Sequence, residues 1–140
     1  MIGIVIVAHG GLAAEYLAAV EHVVGPLPGT RAIPIQAECD RSAKRDEICR
    51  AADEVDSGGG VVIVTDMFGG SPSNLSLPAC AARGRKIVYG ANLPLLVKLA
   101  KSRRKPLEAA VEAALSAGRK YIDAFDAPAA PPAPAAGTAA

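Results

Sequence analysis

The 140-residue chain has the length of one domain, is 51% hydrophobic, and carries a formal net charge of only +1. That charge balance argues against wholesale nucleic-acid binding. Three scattered cysteines, Cys39, Cys49 and Cys80, have neither CxxC nor Cys/His spacing, which argues against a disulfide framework and a zinc site.

The chain opens Met-Ile-Gly with no basic segment. The apolar run at 4–8 is far too short to cross a bilayer or to act as a signal core. A cytoplasmic protein is expected, with any membrane role coming through a partner. Residues 2–8 (IGIVIVA) are continuously apolar and β-branched, the pattern of a central strand covered on both faces. Leu12, Tyr16, Val20, Val23 and Val24 follow helical spacing, and Gly25-Pro26 stops that helix. Residues 31–36 (RAIPIQ) read as a shorter strand, with Pro34 pointing to a sheet edge.

Asp40 can cap a second helix over about 41–56, which Gly58-Gly59-Gly60 ends. Residues 61–65 (VVIVT) are a second continuous apolar strand, followed by a loop over 66–70. Ser71 is expected to cap a third helix, with Pro72 at its first position and its end near Arg83-Gly84. Residues 86–90 (KIVYG) read as a fourth strand, and Ala91-Asn92-Leu93 leads to Pro94 and a short helix. A last helix starts at Pro106 and places Leu107, Val111, Leu115, Gly118, Ile122 and Phe125 on one face. Residues 1–125 are thus expected to form the domain, and the Ala/Pro-rich stretch 126–140 a disordered tail.

Strands alternating with helices predict an α/β fold: a doubly wound, mainly parallel four-stranded sheet of order 2-1-3-4 with helices on both faces. In that order strands 1 and 3 send their chains opposite ways. The crevice between their carboxyl ends is where open α/β sheets take ligands. Two loops meet there, Ala8-His9-Gly10-Gly11 and Thr65-Asp66-Met67-Phe68-Gly69-Gly70-Ser71-Pro72. A carboxylate at Asp66 can accept a hydrogen bond from one ring nitrogen of His9, which leaves the other as an aimed nucleophile. Helix N-termini near Gly10 and Gly11, and near Gly69, Gly70 and Ser71, present backbone amides that favour an anion. The Ser71 hydroxyl adds a donor. The set suits a phosphoryl group resting on His9.

Each element alone has a plainer reading: a structural histidine, an aspartate capping a turn, a tight turn before a helix. Their meeting in the one crevice this fold keeps for ligands favours the chemical reading. No Walker lysine and no GxGxxG follow, so no nucleotide cofactor is expected, and neither loop holds a second histidine or carboxylate to complete a metal site.

"HGG" after strand 1 and "DMFGGSPSN" after strand 3, with "GANLPLLV" at 90–97, resemble the mannose-family enzyme IIA domain of the bacterial phosphoenolpyruvate-dependent sugar phosphotransferase system (PTS). The resemblance runs over about residues 1–125. It implies that His9 takes a phosphoryl group from the phosphocarrier HPr and passes it to a IIB domain. It also implies that Asp66 orients His9, that Ser71 is the site serine, that Asn92 lies near the site, and that the protein is a homodimer. Phe68 stands where some members carry Trp, an apolar docking contact in either case. Some relatives continue through an Ala/Pro-rich linker into a IIB domain. Here a similar stretch ends the chain, so the expected partner is a separate IIB chain or a regulatory protein, with any membrane contact through a IIC/IID complex.

A regulatory module, in which His9 phosphorylation controls partner binding without sugar transport, is the alternative. A histidine-phosphatase type of hydrolase would need an Arg just before His-Gly, where this chain has Ala8. His22 reads as a surface residue. The basic stretch 83–105 and the acidic second helix read as solvated faces, with protein docking as the sharper alternative.

Overall fold

A computed structural model describes residues 1–128 apart from Phe68 and the side chain of Cys80. Phe68, and residues 129–140 of the expected tail, lie outside the described residues.

The elements run β1 (Gly3–His9), α1 (Leu12–Val24), β2 (Thr30–Ile35), α2 (Arg41–Val55), β3 (Val61–Thr65), α3 (Ser71–Ser76), a 3-10 turn (Leu77–Cys80), β4 (Arg85–Val88), α4 (Leu93–Lys101) and α5 (Leu107–Lys120). The sheet has the order β2-β1-β3-β4 and every pairing is parallel, as expected. β2, with Pro34, lies at an edge, where a missing backbone N–H breaks no ladder bond on the open side.

β1 and β3 are buried on both faces because each face has its own core. Ile4, Ile6 and Ala8 point to one side with Val62 and Val64, against Val20 of α1, Leu96 and Leu99 of α4 and Ala110 of α5. Val5, Val7 and Ile63 point to the other with Ile33, against Ile48 and Ala52 of α2 and Leu75 of α3. Each such Val or Ile contributes about 1.5–3 kcal/mol by burial. This alternation carries forward to the next odd position, His9, and assigns it to the side of α2 and α3.

The helix ends depart from the sequence expectation. Ser71 is the first residue of α3; Gly70, in an extended conformation, holds the cap position, with no side-chain capping bond. α3 gives way after Ser76 to the 3-10 turn, since Pro78 has no N–H to continue an α-helical ladder. α5 ends at Lys120, which leaves Ile122 and Phe125 exposed rather than on its packed face. In α1 the buried residues are Ala13 and Val20, whereas Leu12 and Val23 face solvent.

The basic stretch is not uniformly solvated. Arg103 is only 5% exposed. Its Nε donates to the Ile2 carbonyl (2.8 Å), Nη1 to Pro28 (2.5 Å) and Nη2 to Gly29 (2.9 Å). Arg85 is also enclosed and pairs with Asp53 (2.7 Å) and Asp56 (3.3 Å) of the acidic helix region. Part of the basic stretch and part of the acidic helix therefore neutralise each other within the fold.

Candidate functional site

β1 pairs with β2 out to His9↔Ile35, but with β3 only to Val7↔Thr65. The histidine therefore overhangs β3 at the carboxyl edge. Asp66, the residue after β3, reaches into that step. One carboxylate oxygen, Oδ2, accepts the His9 backbone N–H (3.0 Å) and also meets the His9 ring at Nδ1 (2.7 Å). The side chain of Asp66 thus supplies the rung that the β3 backbone no longer provides.

An ionised carboxylate accepts only, so Nδ1 carries a proton, and in the neutral form of the ring Nε2 keeps its lone pair. The His9 side chain is 46% exposed against 10% for Asp66. The free nitrogen is accordingly reachable while its orienting partner is shielded. Burial pushes the Asp66 carboxyl upward, but hydrogen bonds from the His9 amide and ring, with the attraction of the ring's charge, outweigh it and hold the group below its ordinary value.

The glycines act in different ways. Gly10 and Gly69 adopt positive φ (56° and 83°), a region that favours glycine. The Gly10 amide donates to the Ile35 carbonyl (2.9 Å), so at this position the backbone donor is already engaged. Gly11 caps α1, and a side chain there would meet nothing within 4 Å. Gly70 is the crowded one: a Cβ would stand 3.0 Å from His9 Cε1 and 3.5 Å from Nε2.

Ser71 and His9 both line a cavity of about 450 Å³, together with Gly10, Ile35, Gln36, Ala37, Cys39 and Arg41. Arg41, at the start of α2, donates from Nη1 to Ser71 Oγ at 3.3 Å. Sequence reasoning did not select Arg41. The available signal was the odd position of His9 in β1, which turns it toward α2.

Asn92 is committed elsewhere. Its Oδ1 accepts the Leu95 amide (3.0 Å) as the cap of α4, and its Nδ2 donates to the Gly118 carbonyl (2.9 Å). It fastens α4 to α5 and is not among the residues lining the His9 cavity. Among the described residues no group of three or more His, Cys, Asp or Glu could hold a metal ion.

A family model described as the PTS system fructose IIA component, EIIA-man, matches residues 3–116. The chain is 31% identical over 100 residues to YadI of Escherichia coli (strain K12), described as a phosphotransferase enzyme IIA component; the match covers 71% of this chain and 68% of that one. Among solved structures it is similar to PTS component EIIA from Streptococcus agalactiae, with a TM-score of 0.79, 25% identity, and coverage of 89% of this chain and 98% of that one. A PTS IIA protein associated with a fucose utilization operon of Streptococcus pneumoniae gives a TM-score of 0.72 at 30% identity, covering 82% and 89% of the two chains. The mannose/sorbose specific IIA subunit from Enterococcus faecalis shares the fold, with a TM-score of 0.79 at 22% identity over 89% of this chain and 94% of that one.

Proposed function

The chain belongs to the EIIA-man family of PTS IIA components, and on that premise we propose that His9 accepts a phosphoryl group from phospho-HPr and passes it to a IIB partner. The carrying observation is the 2.7 Å contact of Asp66 with Nδ1, which leaves Nε2 as the reacting nitrogen of a half-exposed ring.

The Nε2 lone pair forms the new bond to phosphorus as the bond from phosphorus to the carrier's histidine breaks. The carrier's ring leaves with that electron pair, and Nδ1 keeps its proton throughout. Positive charge grows on the His9 ring during transfer, and the adjacent Asp66 carboxylate stabilises it. The Ser71 hydroxyl and the amides at the start of α3 face the phosphoryl oxygens, as an anion at a helix N-terminus requires. Passage to IIB is the same displacement with the roles reversed.

The proposed partner set is HPr and a IIB protein, in the cytoplasm, with residues 1–125 as the working domain. Among the described residues no helix is long and apolar enough to cross a membrane. Membrane contact through a IIC/IID complex is part of the same proposal. A homodimer is also proposed. Tyr121, Ile122 and Phe125, which are 69%, 75% and 88% exposed just beyond α5, are the apolar side chains a second copy would cover. A single mass of one chain by light scattering at high concentration would remove the dimer.

The phosphoryl reading is tested by incubation with phosphoenolpyruvate, enzyme I and HPr. Acid-labile label is expected on the wild-type protein and none on His9→Ala. An unlabelled wild type, or equal labelling of both proteins, overturns it.

A further inference from the structure

Resting on the phosphoryl-acceptor reading of His9, we propose that Arg41 is a second phosphoryl-binding group, a guanidinium clamp that closes over the phosphoryl oxygens from the α2 side and makes Ser71 a donor to them. Three observations carry this.

The first is placement. Asp40 fixes the start of α2 by accepting the Ala43 amide at Oδ1 (3.1 Å), so the next residue, Arg41, leaves the helix at its first turn. Its guanidinium reaches Ser71, thirty positions away in sequence, and both residues line the same cavity as His9. The approach is from the face opposite α1, so Arg41 and the α3 N-terminus flank the space beside the ring.

The second is the direction of the hydrogen bond. Arg41 has only donors, so Ser71 Oγ must accept in this pair. A hydroxyl that accepts from a guanidinium keeps its own hydrogen free. That hydrogen is then available to an incoming anion. Arg41 therefore fixes the polarity of a group the reaction needs.

The third is the state of the charge. Nearby cations of α2 have carboxylate partners: Lys44 pairs with Glu47 and Arg45 with Asp46. Among the described residues no carboxylate lies within ion-pair distance of the Arg41 guanidinium. Its remaining N–H donors form a planar fork that matches two phosphoryl oxygens. A phosphoryl dianion on Nε2 would be the counter-charge that the unphosphorylated protein does not provide.

The experiment compares wild type with Arg41→Gln, Arg41→Lys, Ser71→Ala and the Arg41→Gln/Ser71→Ala pair. Label uptake from phospho-HPr is measured for each. The isolated phosphoproteins, freed of carrier, are then titrated by ³¹P NMR. Arg41→Gln is expected to accept label about tenfold more slowly, with Arg41→Lys intermediate. The double variant is expected to lose less than the product of the single losses, because both residues hold one group.

The neighbouring cation favours the dianion, so its removal raises the pH at which the phosphoryl group titrates, by roughly half a unit or more. Asp66 beside the ring, Asp40 at the α2 cap and Glu38 in the preceding loop are common to both proteins, so the difference isolates Arg41.

Slow uptake with an unchanged ³¹P titration would mean that Arg41 touches the carrier instead, and would overturn the clamp. Equal uptake and equal titration overturn it too, while leaving His9 phosphorylation standing. A wild type that takes no label overturns both.

Discussion

At the amino ends of β1 and β2, three nitrogens of the Arg103 guanidinium each donate to a backbone carbonyl, and the group is almost wholly enclosed. At the carboxyl end of β1, the His9 ring commits one nitrogen to Asp66 and stays half exposed. Both groups sit where strands end and backbone polar groups lack ladder partners. At the amino end the side chain takes the Ile2 and Pro28 carbonyls and adds a second donor to the Gly29 carbonyl, which already accepts the Ile4 amide. At the carboxyl end a side chain takes the unpaired amide of the histidine itself, so the same bond that completes the backbone also aims the nucleophile. Burial separates the two roles: a fully engaged cation can only hold structure, whereas a half-engaged ring can react.

Asp66→Asn probes this contrast most severely. The amide can no longer hold Nδ1 as a protonated donor to a charge, and acceptance of label should fall on the order of 10²-fold or more, with the protein still folded by circular dichroism. An unimpaired rate would show that the ring is oriented by something else. Arg103→Met should do the reverse. Stripping the Ile2 and Pro28 carbonyls of their donor, and the Gly29 carbonyl of its second one, should cost on the order of 3 kcal/mol in urea unfolding, while the folded fraction accepts label at the wild-type rate. A large rate defect in folded Arg103→Met would erase the distinction between the two ends.

Gly70→Ala brings a methyl to 3.0 Å from His9 Cε1 and should slow acceptance about tenfold by displacing the ring, with little change in stability. The smallest effect is on pH dependence. The Asp66 carboxyl is held below its ordinary value of 3.8 in the folded protein, so its contribution to stability is fully present above that value. It is lost as pH falls through the lower, folded value. Acid unfolding of wild type should show this loss and Asp66→Asn should not; identical acid profiles would mean the pairing adds nothing to the fold.

The sheet was legible because β1 and β3 are unbroken β-branched runs and Pro34 marks an edge. The His9–Asp66 pair followed from strand order alone. Arg41 was not legible from strand order between β1 and β3, because it comes from the other neighbour of β1, through the β2–α2 loop. Only the side-to-side alternation along β1 points that way. Charge patterning misjudged Arg103 and Arg85, since composition cannot tell a solvated cation from one enclosed by carbonyls or carboxylates. The last turn of α5 was overextended, because the spacing of Ile122 and Phe125 continues a helical stripe past the point where anything remains to pack against.

The overhang of β1 beyond β3 makes the length of that strand a chemical variable. A substitution inside the run, Ile for Val or the reverse, alters packing by a methylene and leaves His9 where it is. Removal of a single residue moves the histidine back one place, so that it emerges on the α1 side, away from Asp66, Ser71 and Arg41. Such a deletion could leave both cores largely apolar and still silence the site. Across descendants of this gene, β1 should therefore tolerate changes of letter far more readily than changes of count.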